Sequence, residues 1–95
     1  MQQYMVDFRE AKSIWDIHAA LKNGLFFPDS YGMNADALWD YLTSNINDPC
    51  VIYLKGMNKI PKALHNEVQV LSRIFDRAEI WYNNIDSQVS FLMVD

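Results

Sequence analysis

Residues 28–43 read PDSYGMNADALWDYLT, and this stretch combines the signals for a turn with those for the start of a helix. Tyr31-Gly32 is typical of a turn, because Gly can adopt the positive φ that some turns need. Asn34 is a favourable N-cap, since its side chain can accept a hydrogen bond from the free amides of a first helical turn. Asp36 falls in that first turn, where the helix dipole favours an anion. The stretch therefore predicts a helix that begins directly after Asn34.

The predicted helix has one apolar side and one acidic side. At helical spacing, the apolar side consists of Ala35, Leu38, Leu42 and Ile46, with Tyr41 at its edge. The opposite side consists of Asp36, Trp39, Asp40 and Thr43. Two acids at i and i+4 repel each other by about 0.2–0.5 kcal/mol in an isolated helix. From these residues alone, the acidic side is either a solvated surface, with Trp39 packed under a neighbouring loop, or a binding surface.

The negative charge of the chain is concentrated around this helix. The segment between Asn23 and Leu54 contains no Lys or Arg and four acids, namely Asp29, Asp36, Asp40 and Asp48. Elsewhere the eight acids and eight bases balance, so the whole formal charge of −4 lies in this segment. Concentrated negative charge favours encounter with a cationic protein surface and disfavours direct binding of nucleic acid, whose phosphates it repels.

Length and composition limit the possible classes of protein. A chain of 95 residues with 51% hydrophobic residues predicts one globular domain, spanning residues 1–95, with a single modest core. Its one cysteine, Cys50, excludes an internal disulfide, and its two distant histidines do not suggest a zinc site. We therefore predict no metal and no cofactor. The N-terminus lacks the pattern of a signal peptide and no apolar run reaches membrane-spanning length, which predicts a soluble cytoplasmic protein without membrane contact.

Three strands and two further helices are predicted around residues 28–43. The strands are Tyr4–Phe8, Cys50–Leu54 and Val89–Val94, and the continuous apolar run of the second predicts burial on both of its faces. A long amphipathic helix is predicted where apolar residues recur at helical spacing, at Leu64, Val68, Leu71, Phe75 and Ala78. No element is assigned to the segment 80–88, which contains Trp81 and Tyr82. The order of elements predicts an α/β protein with a small parallel sheet and helices packed on it.

The other helix precedes residues 28–43. Ser13 is expected to cap a helix that runs to Lys22, with Asn23-Gly24 supplying its left-handed end. His18 falls in the middle of its apolar stripe. We therefore interpret His18 as a hydrogen-bonded core residue and not as a catalytic base.

The run from Ser13 to Thr43 closely resembles the barstar family of ribonuclease inhibitors. The resemblance rests on the S-I-x-D-I-H pattern of residues 13–18, on Pro28 and on the Y-G-x-N-x-D-A-L-W-D pattern of residues 31–40. It weakens after Pro49, although the order of strands and helices still agrees with the family. The resemblance implies a three-stranded parallel sheet with three to four helices packed on it.

The resemblance also implies a function. Barstar-like proteins are intracellular inhibitors that plug the active site of a secreted bacterial ribonuclease with their second helix and the turn before it. In this sequence Asp40 matches the acid that takes the place of a substrate phosphate, and Asp36 matches its accompanying acid. Asn34 and Tyr31 are expected to shape the turn. The full set expected to bind the partner is Ser30, Tyr31, Asn34, Asp36, Trp39, Asp40, Thr43, Ser44 and Asn45.

The implied partner is a basic extracellular ribonuclease or nuclease toxin, bound by a monomer of this chain in a 1:1 complex. The chain would then be an immunity protein, or antitoxin, that protects its own cell. It departs from the family's pattern where Ser30 replaces a Tyr, where Ser44-Asn45 replaces Gly-Trp, and at Arg77, which aligns with an acid. Such changes at the rim of an interface are expected to alter which partner is bound.

Three alternatives remain at the level of sequence. The chain could confer immunity against a different nuclease toxin, which need not be a ribonuclease, or regulate a basic protein that is not a nuclease. An enzyme that uses Asp36 and Asp40 is disfavoured, because paired carboxylates need a cleft for acid–base work and these lie on a predicted exposed helix face. No phosphate-binding loop or nucleophile motif is found, and we predict that the chain is not an enzyme.

Overall fold

The computed structural model describes all residues from Met1 to Asp95. Three parallel strands form one sheet in the order β1 (Gln2–Asp7), β2 (Cys50–Lys55) and β3 (Val89–Val94). The helices are α1 (Ile14–Leu25), α2 (Ala35–Ser44) and α3 (His65–Asn84), and two 3₁₀-helical turns precede α3 at Met57–Lys59 and Lys62–Leu64. The predicted fold class is confirmed. None of the helices combines the length and the apolar character needed to cross a membrane.

The sheet buries only one of its faces. Along β2, Cys50, Ile52 and Leu54 are buried, whereas the alternate side chains are only half-buried. The register places Tyr53 between Met5 and Leu92, and each of these two neighbours is 48% exposed. Because successive side chains of a strand point to opposite faces, the helices must cover one face and leave the other to solvent. The prediction that β2 is buried on both faces is therefore wrong.

Helix α1 is longer than its sequence suggests. Ser13 caps it as predicted, but the helix continues to Leu25 and ends where Phe26 takes the left-handed conformation, with φ of 58°. Gly24 is therefore an internal helical residue and not the left-handed end that was expected.

Gly24 instead allows α1 to pack closely on β1. A Cβ atom at this position would lie 2.5 Å from the carbonyl oxygen of Met5 and 2.9 Å from the Cα of Val6. These distances are too short for any side chain, so the absence of a Cβ sets how closely the helix approaches the strand. The reason for glycine here is a long-range contact and not a local turn.

Helix α3 includes most of the segment to which the sequence assigned no element. It continues to Asn84, which places Trp81 and Tyr82 in its last two turns. Tyr82 is buried, and its hydroxyl donates a hydrogen bond to the carbonyl oxygen of Leu42 near the end of α2. The rings of Trp81 and Tyr82 meet edge-on, with centroids 4.9 Å apart. The end of α3 therefore helps to hold α2 in place.

Candidate partner-binding surface

The start of α2 is fixed by the side chain of Asn34. Its Oδ1 accepts a hydrogen bond from the amide of Ala37 at 2.8 Å, and its Nδ2 donates to the carbonyl oxygen of Gly32 at 3.2 Å. The predicted N-cap is thus confirmed. One side chain satisfies a free amide of the helix and a carbonyl of the preceding turn, which joins the turn rigidly to the helix.

The turn itself differs from the prediction. The residue with a positive φ is Met33, at 57°, and not Gly32. A Cβ on Gly32 would lie 3.3 Å from the Cβ of Ala37 and 3.5 Å from Nδ2 of Asn34. Glycine at this position therefore makes room for the first turn of α2.

Tyr31 lies inside the core, directly before this turn. It is only 3% exposed, and its hydroxyl lies 2.7 Å from Nδ1 of His18 on α1. Its ring packs against those of Phe27 and Tyr41, with centroids 4.9 and 5.5 Å away. Burial raises the pKa of Tyr31 above its usual range and lowers that of His18. Tyr31 is therefore anchored in the core directly before the turn, and His18 is the hydrogen-bonded core residue that the sequence predicted.

Asp36 and Asp40 form an exposed pair of carboxylates one helical turn apart on α2. Neither carboxylate takes part in an ion pair or a side-chain hydrogen bond within the chain. The other two acids of the segment are engaged, because Asp29 pairs with Lys22 at 2.9 Å and Asp48 accepts a hydrogen bond from a serine hydroxyl. Of the four acids of the segment, only the two on α2 have no side-chain partner in the chain, so both oxygens of each can accept charge-assisted hydrogen bonds from another molecule.

The remaining predicted contact residues lie directly before α2, along it and at its end. Ser30 is exposed, and its hydroxyl lies 3.1 Å from that of Tyr41 on α2. The hydroxyl of Thr43 donates to the carbonyl oxygen of Trp39 at 2.9 Å, and that of Ser44 to the carbonyl oxygen of Asp40 at 2.5 Å. Each hydroxyl thus bonds back to the carbonyl four residues earlier in the same helix, as Ser and Thr side chains often do. Asn45 is exposed at its C-cap.

Trp39 is half-buried against the core and lines a groove between α2 and α3. The groove has a volume of about 450 Å³, and its lining residues are Ala35, Asp36, Trp39, Val70, Arg73, Ile74 and Arg77. Trp39 therefore faces helix α3 across this groove, whereas one interpretation of the sequence placed it under a neighbouring loop. Arg73 and Arg77 are exposed, one turn apart on α3.

Sequence reasoning missed Arg73 and reached Arg77 only through the alignment. The sequence signal that could have revealed them is the i, i+4 spacing of Arg73 and Arg77. Both flank the predicted apolar stripe of α3, next to Val70 and Ile74. That signal shows that the two arginines share a helix face. It does not show that this face lies opposite Asp36 and Trp39, because the helices are separated by β2 and its connections.

The chain is similar to a known protein family and to a curated relative. The model of the family described as Barstar (barnase inhibitor) matches residues 1–94. A Bacillus subtilis (strain 168) protein named "Putative ribonuclease inhibitor YrdF" is 44% identical over 56 residues. That alignment covers 59% of this chain and 62% of the relative, so the match spans less than two thirds of the relative's length.

Proposed function

The chain belongs to the barstar family, as its sequence predicted, and from this premise we propose that it inhibits a basic ribonuclease by blocking the active site with α2. In this mechanism Asp40 takes the position of a substrate phosphate. It accepts charge-assisted hydrogen bonds from the cationic side chains that would otherwise bind the RNA. Asp36, one turn earlier, adds a second negative charge for the same cationic surface.

The observation that carries this proposal is the exposure of both α2 carboxylates without any partner in the chain. An acid that already forms an ion pair would have to break it before binding another molecule. Asp36 and Asp40 lose only their hydration when a partner approaches, and they can exchange it for bonds to fixed cations.

The rigidity of α2 further supports the proposal. Its start is capped by Asn34, Leu38 and Leu42 are fully buried, and Tyr82 binds the carbonyl oxygen of Leu42 near its end. A helix that is already ordered loses little conformational freedom on binding, so more of the interaction energy appears as affinity. The two carboxylates are therefore presented in a nearly fixed geometry.

The other residues of the surface have two roles in this proposal. Ser30, Trp39, Thr43, Ser44 and Asn45 border the acids and contact the rim of the ribonuclease active site. Tyr31 and Asn34 act indirectly, because one is buried and the other holds the turn onto the helix. The complex contains one copy of each protein, needs no cofactor and protects the cytoplasm of the producing cell from its own secreted nuclease.

The test is an inhibition titration with barnase, the ribonuclease named in the family description. Cleavage of a fluorogenic RNA substrate is measured against increasing amounts of the wild-type chain, Asp40→Ala and Asp40→Asn. We expect weak inhibition of barnase by the wild type, because the residues at the rim of the surface depart from the family's pattern, and a further strong loss of inhibition in both variants. Inhibition that is unaffected by either substitution would contradict the proposed mechanism.

A capture experiment tests whether the chain binds a cognate enzyme other than barnase. Immobilised wild type and Asp40→Ala are each exposed to the secreted proteins of the source organism, and the bound fractions are assayed for cleavage of RNA and DNA. The proposal expects ribonuclease activity only in the fraction bound to the wild type. A fraction that cleaves only DNA would favour a different nuclease toxin, and a fraction without nuclease activity would favour a regulatory role.

A further inference from the structure

The groove between α2 and α3 has walls of opposite charge. Asp36 lies on the α2 wall, Arg73 and Arg77 lie on the α3 wall, and Trp39 and Ile74 contribute apolar lining. Residues one turn apart on a helix have Cβ atoms about 5–6 Å apart, so the two arginines can act on a single small group. The acidic surface of α2 is therefore bordered by a basic edge on α3.

The two arginines of this edge are not engaged within the chain. The third arginine, Arg9, binds the carboxylate of Asp7 through its guanidinium, with a closest distance of 2.7 Å. Arg73 and Arg77 form no such ion pair, either with Asp36 across the groove or with Asp76 between them in sequence. Both keep their hydrogen-bond donors available for another molecule.

This arrangement is unsuited to a partner whose surface is uniformly cationic. Cations that reach Asp36 would come within one groove width of two arginines in an interface from which water is removed. Like charges brought together in this way disfavour the complex strongly. A partner therefore needs a negative group beside the cations that meet α2.

We propose that Arg73 and Arg77 bind a carboxylate on the rim of the ribonuclease active site, and that this pair determines which ribonucleases the chain inhibits. The proposal rests on the function proposed above and adds a requirement for one acidic side chain next to the cationic centre of the partner. A guanidinium group matches a carboxylate with two parallel hydrogen bonds, which makes the contact specific in geometry as well as in charge.

A protein carboxylate fits this edge better than an RNA phosphate. A strand of RNA carries a row of negative charges, and the row would extend past the groove towards Asp36 and Asp40, which repel it. A single acid surrounded by cations avoids that repulsion. The acidic side of α2 next to the two arginines of α3 therefore favours a folded protein whose active-site rim carries both cationic and acidic side chains.

The experiment uses barnase variants in which acids on the active-site rim are removed or introduced one at a time. Affinity is measured by titration calorimetry for four forms of the chain: wild type, Arg73→Ala with Arg77→Ala, Arg73→Lys with Arg77→Lys, and Asp40→Ala. The control is Lys12→Ala with Lys59→Ala, which removes the same charge from exposed positions outside the groove.

We expect at least one rim position at which an acid strengthens binding to the wild type by about tenfold or more. At that position the acid should give little gain with the double alanine variant, an intermediate gain with the double lysine variant and the full gain with the control. The double lysine variant separates the contribution of charge from that of hydrogen-bond geometry, because it keeps both positive charges and lacks the planar guanidinium group.

Two results would overturn the proposal, and they differ in what they say about the function. If no rim acid distinguishes the wild type from the double alanine variant while Asp40→Ala still weakens binding, the groove proposal fails and the proposed function stands. If binding is insensitive to Asp40→Ala, or absent for the whole series, the proposed function fails for barnase-type enzymes and the groove proposal fails with it.

Discussion

Replacement of Asp40 by alanine should make the free protein slightly more stable while it greatly weakens binding. Asp40 has no side-chain partner in the chain, and the hydrogen bonds from Thr43 and Ser44 reach its main-chain carbonyl, which the substitution leaves in place. Removing the repulsion with Asp36 contributes about 0.2–0.5 kcal/mol. Alanine also favours a helix over aspartate by about 0.6 kcal/mol. We expect the free energy of unfolding to rise by about 1 kcal/mol.

The same substitution should lower the affinity for a ribonuclease by about 2–5 kcal/mol, because it leaves cations of the partner buried without a counter-charge. This range corresponds to an increase in Kd of about 30-fold to several thousand-fold. Urea denaturation gives the stability of the free chain, and titration calorimetry with barnase gives the affinity. The opposite signs of the two effects distinguish a binding residue from a structural one.

The matched control is Glu10→Ala, which changes the net charge equally at an exposed position between β1 and α1. We expect this control to change Kd only slightly, through long-range electrostatics. The reasoning is refuted if a folded Asp40→Ala variant loses no more affinity than Glu10→Ala does. A fall in the stability of the Asp40→Ala variant would also contradict the structure, since it would imply an intrachain partner for this carboxylate.

Three further predictions test the charge, the packing and the buried histidine. The net negative charge lies in the segment that contains α2, so added salt should lower the association rate with barnase steeply and change the dissociation rate little. Stopped-flow mixing measures both rates. An association rate that does not depend on salt would contradict electrostatic steering by this segment. Gly24→Ala should destabilise the chain by about 1–3 kcal/mol, because the added Cβ would lie 2.5 Å from the carbonyl oxygen of Met5 on β1. Urea denaturation measures this loss. Unchanged stability would contradict the close packing of α1 on β1. Burial lowers the pKa of His18, although the charge of Glu67 opposes the shift, so the unfolded chain binds its proton more readily than the folded chain. The free energy of unfolding should therefore fall as the pH drops below about 6.5, and it should fall less in a His18→Gln variant. An equal pH dependence in both proteins would show that His18 is not the group responsible.

The local features of this protein can be read from its amino-acid sequence. The N-cap at Asn34, the cap at Ser13 and the apolar stripe of α3 were all predicted, and so was the order of strands and helices. The exposed acids of α2 were recognised as candidates from their spacing and from the lack of nearby bases. These features depend on residues within about one helical turn of each other, so hydrogen-bonding capacity and periodicity are sufficient to reveal them.

Where these elements meet follows from the three-dimensional packing of the chain and not from the local sequence. Gly24 proved to be a site of close contact with β1, Trp39 proved to lie against α3, and one face of the sheet proved to be open. The same groove is lined by Asp36 and by Arg73 and Arg77, which are more than 30 residues away in the chain. Contacts of this kind follow from how helices and strands fill space together. The pattern within one element shows which of its faces is apolar, but not which distant side chain will lie opposite it.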